Sequence, residues 1–273
     1  MAKEELLSGG NVTPVVRVDD TVRRVVGPWS AAVHSLLLHL KARGFSGAPR
    51  FLGIDEQGRE ILTFIEGEVG RYPYPSYILS DGVLLEAACL VRRYHDATTD
   101  YTPPAHAAWQ FTYPDATRHE VICHNDLAPY NMVFVDEQPQ ALIDFDTAGP
   151  GPRAWDLAYA AYRFVPLSYA QDVEQLGLAN PAEQARRLHE FCHAYNEAGD
   201  AGNTGNAGDV QLDEILALVE PRVQALCDLL ITRSSAGEAA YQQMVADGHL
   251  AHYQREVAAF RRHRSEIEGY LAH

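Results

Sequence analysis

The sequence predicts an α+β fold, with a small β-rich lobe at the N-terminus and a larger, mainly helical part after it. Three observations carry this. Up to Gly67, two hairpin patterns flank a single amphipathic helix. From Ser80 onward, apolar residues recur mostly at helical spacing. Interrupting those helices is one apolar hairpin, Val121 to Asp146, that collects His124, Asn125, Asp126, Asn131, Asp144 and Asp146.

Taken in order, Asn11–Val18 and Thr21–Val26 read as two strands joined by the turn pair Asp19-Asp20. Gly27-Pro28 breaks the second strand, and Ser30 stands where it would cap a helix. Trp29, Val33, Leu36, Leu37 and Leu40 give that helix a buried face, and Gly44 to Pro49 ends it. Arg50–Ile54 and Glu60–Ile65 form a second hairpin around Glu56-Gln57-Gly58, and Thr63 to Gly67 closes the lobe. Gly70 to Tyr77, GRYPYPSY, has the composition of an extended, semi-rigid connector.

A helix capped at Ser80-Asp81 should run through Tyr94. Gly149-Pro150-Gly151-Pro152 reads as a turn, and Trp155-Asp156-Leu157-Ala158 opens the next helix. Asn180-Pro181-Ala182-Glu183 is a helix start in which Glu183 would reach back to the cap. Ala198–Asp209 is a glycine- and asparagine-rich loop; no strand precedes it and no lysine follows, which argues against a phosphate loop. Helices resume at Val210, with a break or kink at Pro221, and continue to Thr232. Two more should cover Glu238–Val245 and Leu250–Leu271.

Composition narrows the function. The formal net charge of −15 disfavours nucleic acid and anionic membrane and favours cationic small molecules. Four widely spaced cysteines in apolar contexts read as reduced core residues. The N-terminus lacks an apolar signal region and no run approaches membrane-spanning length, so a cytoplasmic protein is expected.

Within Val121–Asp146, His124-Asn125-Asp126 is followed by Asn131, and a turn at Asp136–Pro139 should bring Asp144 back beside Asn131. The spacing matches the kinase catalytic loop, with Asp144-Phe145-Asp146 where an Asp-Phe-Gly would stand. With Asn for Arg and Asp for Gly, the stretch resembles the aminoglycoside phosphotransferase and choline kinase family, small-molecule relatives of protein kinases. The resemblance follows most of the chain in order, but its specific motifs lie in Cys123–Asp146.

The resemblance implies a bilobal, protein-kinase-like fold, with a nucleotide-binding lobe at 1–67 and a helical lobe with the acceptor site at 68–273. It implies transfer of the γ-phosphate of ATP or GTP, with Mg²⁺, to a hydroxyl of a small and possibly cationic acceptor. Asp126 would receive or orient the hydroxyl proton, and His124 would hold the loop. Asn131 and Asp144 would hold the metal. Asp146 would meet a second metal or cap the hairpin, and Asp156 would brace the catalytic loop. Phe64, Ile65 and Glu66 resemble the hinge that meets the nucleotide base. Ser8-Gly9-Gly10-Asn11 reads either as a plain turn or as a loop over the phosphates.

The small lobe departs from the pattern. The usual lysine and its helix glutamate are missing: the only lysines are Lys3 and Lys41, and Ser30–Arg43 contains no carboxylate. Arg24, with Arg23 as its neighbour on the opposite strand face, is the candidate cation for the phosphates. These departures keep a nucleotide-binding pseudoenzyme open as the alternative. The lack of an Ala-Pro-Glu segment after Asp144 argues against a protein kinase.

Overall fold

A computed structural model describes residues 4–7, 15–167, 177–199 and 208–272. The Ser8–Asn11 turn, the start of the strand expected from Asn11, and most of the Ala198–Asp209 loop lie outside them. The chain divides into two compact units, Met1–Pro75 with Leu90–Arg153, and Ser76–Cys89 with Ala154–His273.

The first unit opens with an antiparallel sheet of β1 (Glu4–Leu7), β2 (Val15–Val18), β3 (Thr21–Val25), β4 (Phe51–Ile54) and β5 (Arg59–Thr63), ordered β1-β2-β3-β5-β4. The Asp19-Asp20 and Gly58 turns form as expected, with Asp19 and Gly58 in the left-handed region and Asp55 accepting the amides of Gln57 and Arg59. Helix α1 (Ser30–Ala42) buries Val33, Leu36, Leu37 and Leu40 and ends at left-handed Gly44.

Two local expectations are corrected here. Ser30 is the first helical residue rather than its cap: its Oγ accepts the Gly27 amide at 2.9 Å while its own amide bonds Gly27 O, closing a turn around Pro28. Strand β1, absent from the sequence reading, pairs with β2; two glutamates and a 70% exposed Leu6 leave it with little strand signal.

The same unit holds β6 (Glu68–Val69), β8 (Met132–Val135) and β9 (Gln138–Leu142) in one small sheet. A second pairs β7 (Val121–Cys123) with β10 (Gly149–Gly151). The expected Gly149–Pro152 turn is therefore partly a strand, in register with β7. Glycine is required there, because a Cβ on Gly149 would lie 1.8 Å from Phe111 O.

Helix α2 (Asp81–Asp96) passes from the second unit into the first; Ser80 Oγ accepts the Val83 amide as its cap. The second unit also holds α3 (Arg153–Phe164, from Ala154), α4 (Pro181–Glu197), α5 (Leu212–Ser235), α6 (Ala239–Ala246) and α7 (His249–Leu271). Asn180 caps α4 by accepting the Ala182 amide, but Glu183 pairs with Arg186 instead of reaching back. Helix α5 runs unbroken through Pro221. Proline costs a helix interior about 3 kcal/mol; buried Ile215, Leu216, Val219, Val223 and Cys227 on both sides of it carry the helix through. Buried Arg187 closes the end of α3, donating to Phe164 O, Val165 O and Asp81.

None of the four cysteines forms a disulfide; Cys123, Cys192 and Cys227 are buried and Cys89 half-buried. No helix among the described residues is long and apolar enough to cross a membrane. The β-rich N-terminal region and mainly helical remainder are the predicted α+β class.

Candidate active site

The candidate residues gather on the hairpin of the first unit. Strand β7 delivers buried His124 and Asn125 to a tight segment in which Asn125 takes a left-handed φ of 63°. Asn125 Nδ2 donates to Thr147 O and Thr147 Oγ1 donates to His124 O, so the loop is stitched to the segment after β9. His124 Nε2 lies 3.0 Å from Ile143 O. A carbonyl only accepts, so this nitrogen carries the proton. With its ring 4.8 Å from that of Phe145, His124 is a structural clamp on the loop.

Asp126 is half-buried and held on both oxygens. Tyr130 Oη donates to Oδ1 at 2.7 Å, and Asn131 Nδ2 donates to Oδ2 at 2.7 Å and to the Asp126 carbonyl at 3.0 Å. Since the Asn131 amide nitrogen is spent on Asp126, its oxygen is the atom available to a cation. Pairing of β8 with β9 puts Met132 opposite Leu142, and the Ile143 amide donates to Asn131 O at 2.9 Å. The expected return of the second strand to Asn131 is therefore present, one residue before Asp144. Asp144 follows with a left-handed φ of 62° and a half-exposed side chain.

Arg24 links this hairpin to the large sheet. Its side chain is buried, and its nitrogens are divided among three carboxylates: Nε donates to Glu60 at 2.7 Å, Nη1 to Asp144 at 2.8 Å and Nη2 to Asp146 at 2.6 Å. Burial alone would lower the Arg24 pKa, but Asp146, Asp144 and Glu60 together hold it above its ordinary value. Arg23 faces the other way, onto Thr21 and toward Asp55. Asp146 thus meets Arg24. Burial, with the charges of Asp144 and Glu60, keeps its carboxyl above the usual range despite that contact.

Glu60 and His34 were not singled out from sequence. Glu60 lies directly opposite Arg24 in the β3–β5 register and is 1% exposed. Its other oxygen is 2.7 Å from His34 Nε2 on α1. The signal was present in the alternation of β5, where Glu60 shares the buried face of Leu62; reading it requires knowing that β5 neighbours β3.

At the connector, the Phe64 amide donates to Asp20 O, and Arg17 lies 3.7 Å over the Phe64 ring while pairing with Glu66. Gly67, with φ 144°, follows Ile65 and Glu66, and a Cβ there would sit 2.5 Å from Phe134 O. The connector then joins the hairpin's sheet through β6. Asp156 belongs to the second unit, fully buried within α3.

No group of three or more His, Cys, Asp or Glu side chains among the described residues is arranged to hold a metal. The set proposed for Mg²⁺ differs in kind, an amide oxygen from Asn131 and a carboxylate from Asp144. These are hard oxygen donors of the type that ion takes together with phosphates and waters.

A family model described as "Phosphotransferase enzyme family" matches residues 83–191, a span that includes the whole hairpin. A trifolitoxin immunity protein from Rhizobium leguminosarum bv. trifolii is 38% identical over 200 residues, covering 71% of this chain and 75% of that one. Among solved structures, choline kinase from Cryptosporidium parvum aligns with 99% of this chain and 91% of its own, with 11% identity and a TM-score of 0.63. The GDP complex of aminoglycoside 2'-phosphotransferase-IIIa aligns with 95% of this chain and 92% of its own, with 12% identity and a TM-score of 0.55. The fold is therefore protein-kinase-like, and the chain belongs to the phosphotransferase enzyme family.

Proposed function

We propose that the protein transfers the γ-phosphate of ATP or GTP to a hydroxyl of a small, aminoglycoside-like or otherwise hydroxylated and cationic acceptor in the cytoplasm. The observation that carries this is the Asp126 carboxylate, fixed by Tyr130 and Asn131 on the hairpin that also bears Asp144. The donor nucleotide is assigned to residues 1–67, with Phe64, Ile65 and Glu66 at its base, and the acceptor to the helical part of 68–273. Asp126 orients the acceptor hydroxyl and draws its proton. The hydroxyl oxygen then bonds to the γ-phosphorus as the bridge to the β-phosphate breaks, and the nucleoside diphosphate leaves. Arg24 supplies the cation toward the phosphates. Asn131 and Asp144 would hold Mg²⁺, which when bound offsets phosphate charge. The net charge of −15 favours a cationic acceptor.

A second reading of the acceptor rests on the relative at 38% identity, whose name is that of an immunity protein. On that reading the acceptor is a toxin and its phosphorylation is protective. The test is nucleotide consumption with ATP and with GTP against hydroxylated antibiotics, amino alcohols and toxin preparations, with mass spectrometry of the product. A product heavier by about 80 Da, the mass that one phosphoryl transfer adds, supports the proposal. Nucleotide binding without product across the panel leaves the pseudoenzyme, and no nucleotide binding removes both.

A further inference from the structure

We infer that His34 is a positioning residue that aims Arg24 through Glu60, so that a histidine–glutamate–arginine relay stands where other kinase-like enzymes use a lysine and a helix glutamate. The inference rests on the proposed role of Arg24 toward the donor's phosphates.

Glu60 is 1% exposed, so protein groups rather than water must satisfy its carboxylate. Each oxygen has one partner: Oε1 takes Arg24 Nε at 2.7 Å, and Oε2 takes His34 Nε2 at 2.7 Å. The Glu60 carboxyl is held below its usual range, against burial, by His34 and Arg24, so it is ionised and only accepts. His34 Nε2 is therefore the donor. The imidazole is itself fixed by stacking on Phe51, with centroids 3.8 Å apart and planes 12° from parallel.

This division controls where the guanidinium fork points. A carboxylate with both oxygens free binds the Nε–Nη edge of arginine side-on through two parallel hydrogen bonds. By occupying Oε2, His34 limits Glu60 to Nε alone and leaves both Nη groups to reach the hairpin, where they meet Asp144 and Asp146. Helix α1, which has no carboxylate to offer, acts on the arginine through a histidine.

The test measures nucleotide·Mg²⁺ affinity by titration calorimetry, alongside thermal midpoints, in wild type, His34→Phe, His34→Gln, Arg24→Met and the His34→Phe/Arg24→Met double variant. His34→Phe keeps a ring against Phe51 but cannot donate; His34→Gln loses the ring and retains an N–H. Loss of a hydrogen bond to a charged group predicts roughly tenfold weaker binding in His34→Phe, with most of that loss recovered in His34→Gln. The double variant should bind no more weakly than Arg24→Met alone. Equal losses in Phe and Gln variants, or additive losses in the double variant, would reduce His34 to a packing residue and overturn the relay. Weakened Arg24→Met beside unaffected His34→Phe overturns the relay alone. Unaffected Arg24→Met removes the proposed role of Arg24, and the relay with it.

Discussion

Replacing Glu60 by glutamine should destabilise the protein in a way that depends on pH. Glutamine keeps the shape and one acceptor oxygen, but turns an amide NH₂ toward either Arg24 Nε or His34 Nε2, both now donors to Glu60. Arg24 Nε then loses its charged partner, whichever tautomer His34 takes, in a site where Glu60 is 1% exposed. Breaking a buried ion pair costs about 3–5 kcal/mol. Arg24 retains Asp144 and Asp146, so the lower end of that range applies, and about 3 kcal/mol is expected at neutral pH. The Glu60 carboxyl is held below its ordinary value of 4.5 in the folded protein. A depressed folded pKa contributes stability that is complete above the unfolded value and lost as pH falls through the folded one. The penalty of Glu60→Gln should therefore be full at about pH 6–7, roughly two units above the unfolded pKa, and shrink in acid. Urea unfolding of both proteins over that series measures it. A difference that stays constant down to the acid end, or stays below about 0.5 kcal/mol throughout, would show that Glu60 carries no charge-dependent anchoring.

Three further outcomes concern the Val121–Asp146 hairpin and the strand that follows it. Asp126→Ala should abolish phosphoryl transfer while leaving nucleotide·Mg²⁺ affinity within roughly threefold, because Asp126 is assigned to the acceptor hydroxyl; paired turnover and calorimetry measurements decide it. Asp144→Asn should flatten the Mg²⁺ dependence of nucleotide binding, and an unchanged Mg²⁺ titration would move the metal away from Asp144, first toward Asp146. Gly149→Ala should cost more than about 3 kcal/mol, the scale of severe overpacking, since its Cβ would lie 1.8 Å from Phe111 O; an unfolding midpoint equal to wild type would show that the backbone there yields.

Local chemistry made much of this legible in the sequence. Helix α1 was set by its apolar spacing, α2 by its Ser80 cap, and the β8–β9 hairpin by two short apolar runs around a turn. What failed locally was decided by packing at a distance. Pro221 does not break α5 because buried side chains on both sides hold it, and Gly149–Gly151 is a strand because Cys123 and its neighbours pair with it. Glu60 escaped notice for a related reason. On a lone strand it is an ordinary charged residue, and only the order β3-β5 turns it toward Arg24. The residues of the catalytic motif were visible because their spacing lies within one hairpin. The relay was not, since Arg24, His34 and Glu60 come from three elements.

The charges at Arg24 connect that relay to the residues proposed to hold Mg²⁺. Glu60, Asp144 and Asp146 contribute three negative charges around one guanidinium, while Asp144 is half exposed and Glu60 almost wholly enclosed. Water can screen Asp144 but not Glu60, so the imbalance falls on the inner groups. His34 donates to Glu60, while burial, with the charges of Asp144 and Glu60, holds the Asp146 carboxyl above its usual range against the attraction of Arg24. On the proposed function, this surplus of negative charge would favour a divalent cation over a monovalent one at Asn131 and Asp144. It would also hold that cation more tightly when nucleotide phosphates complete the oxygen shell. Arginine at position 24 suits such an arrangement better than lysine, since its five donors reach separate carboxylates without losing charge on burial. On the proposed function, a different geometry takes the place of the missing lysine and helix glutamate: a strand-borne glutamate holds the rear of the cation and the hairpin aspartates meet its front.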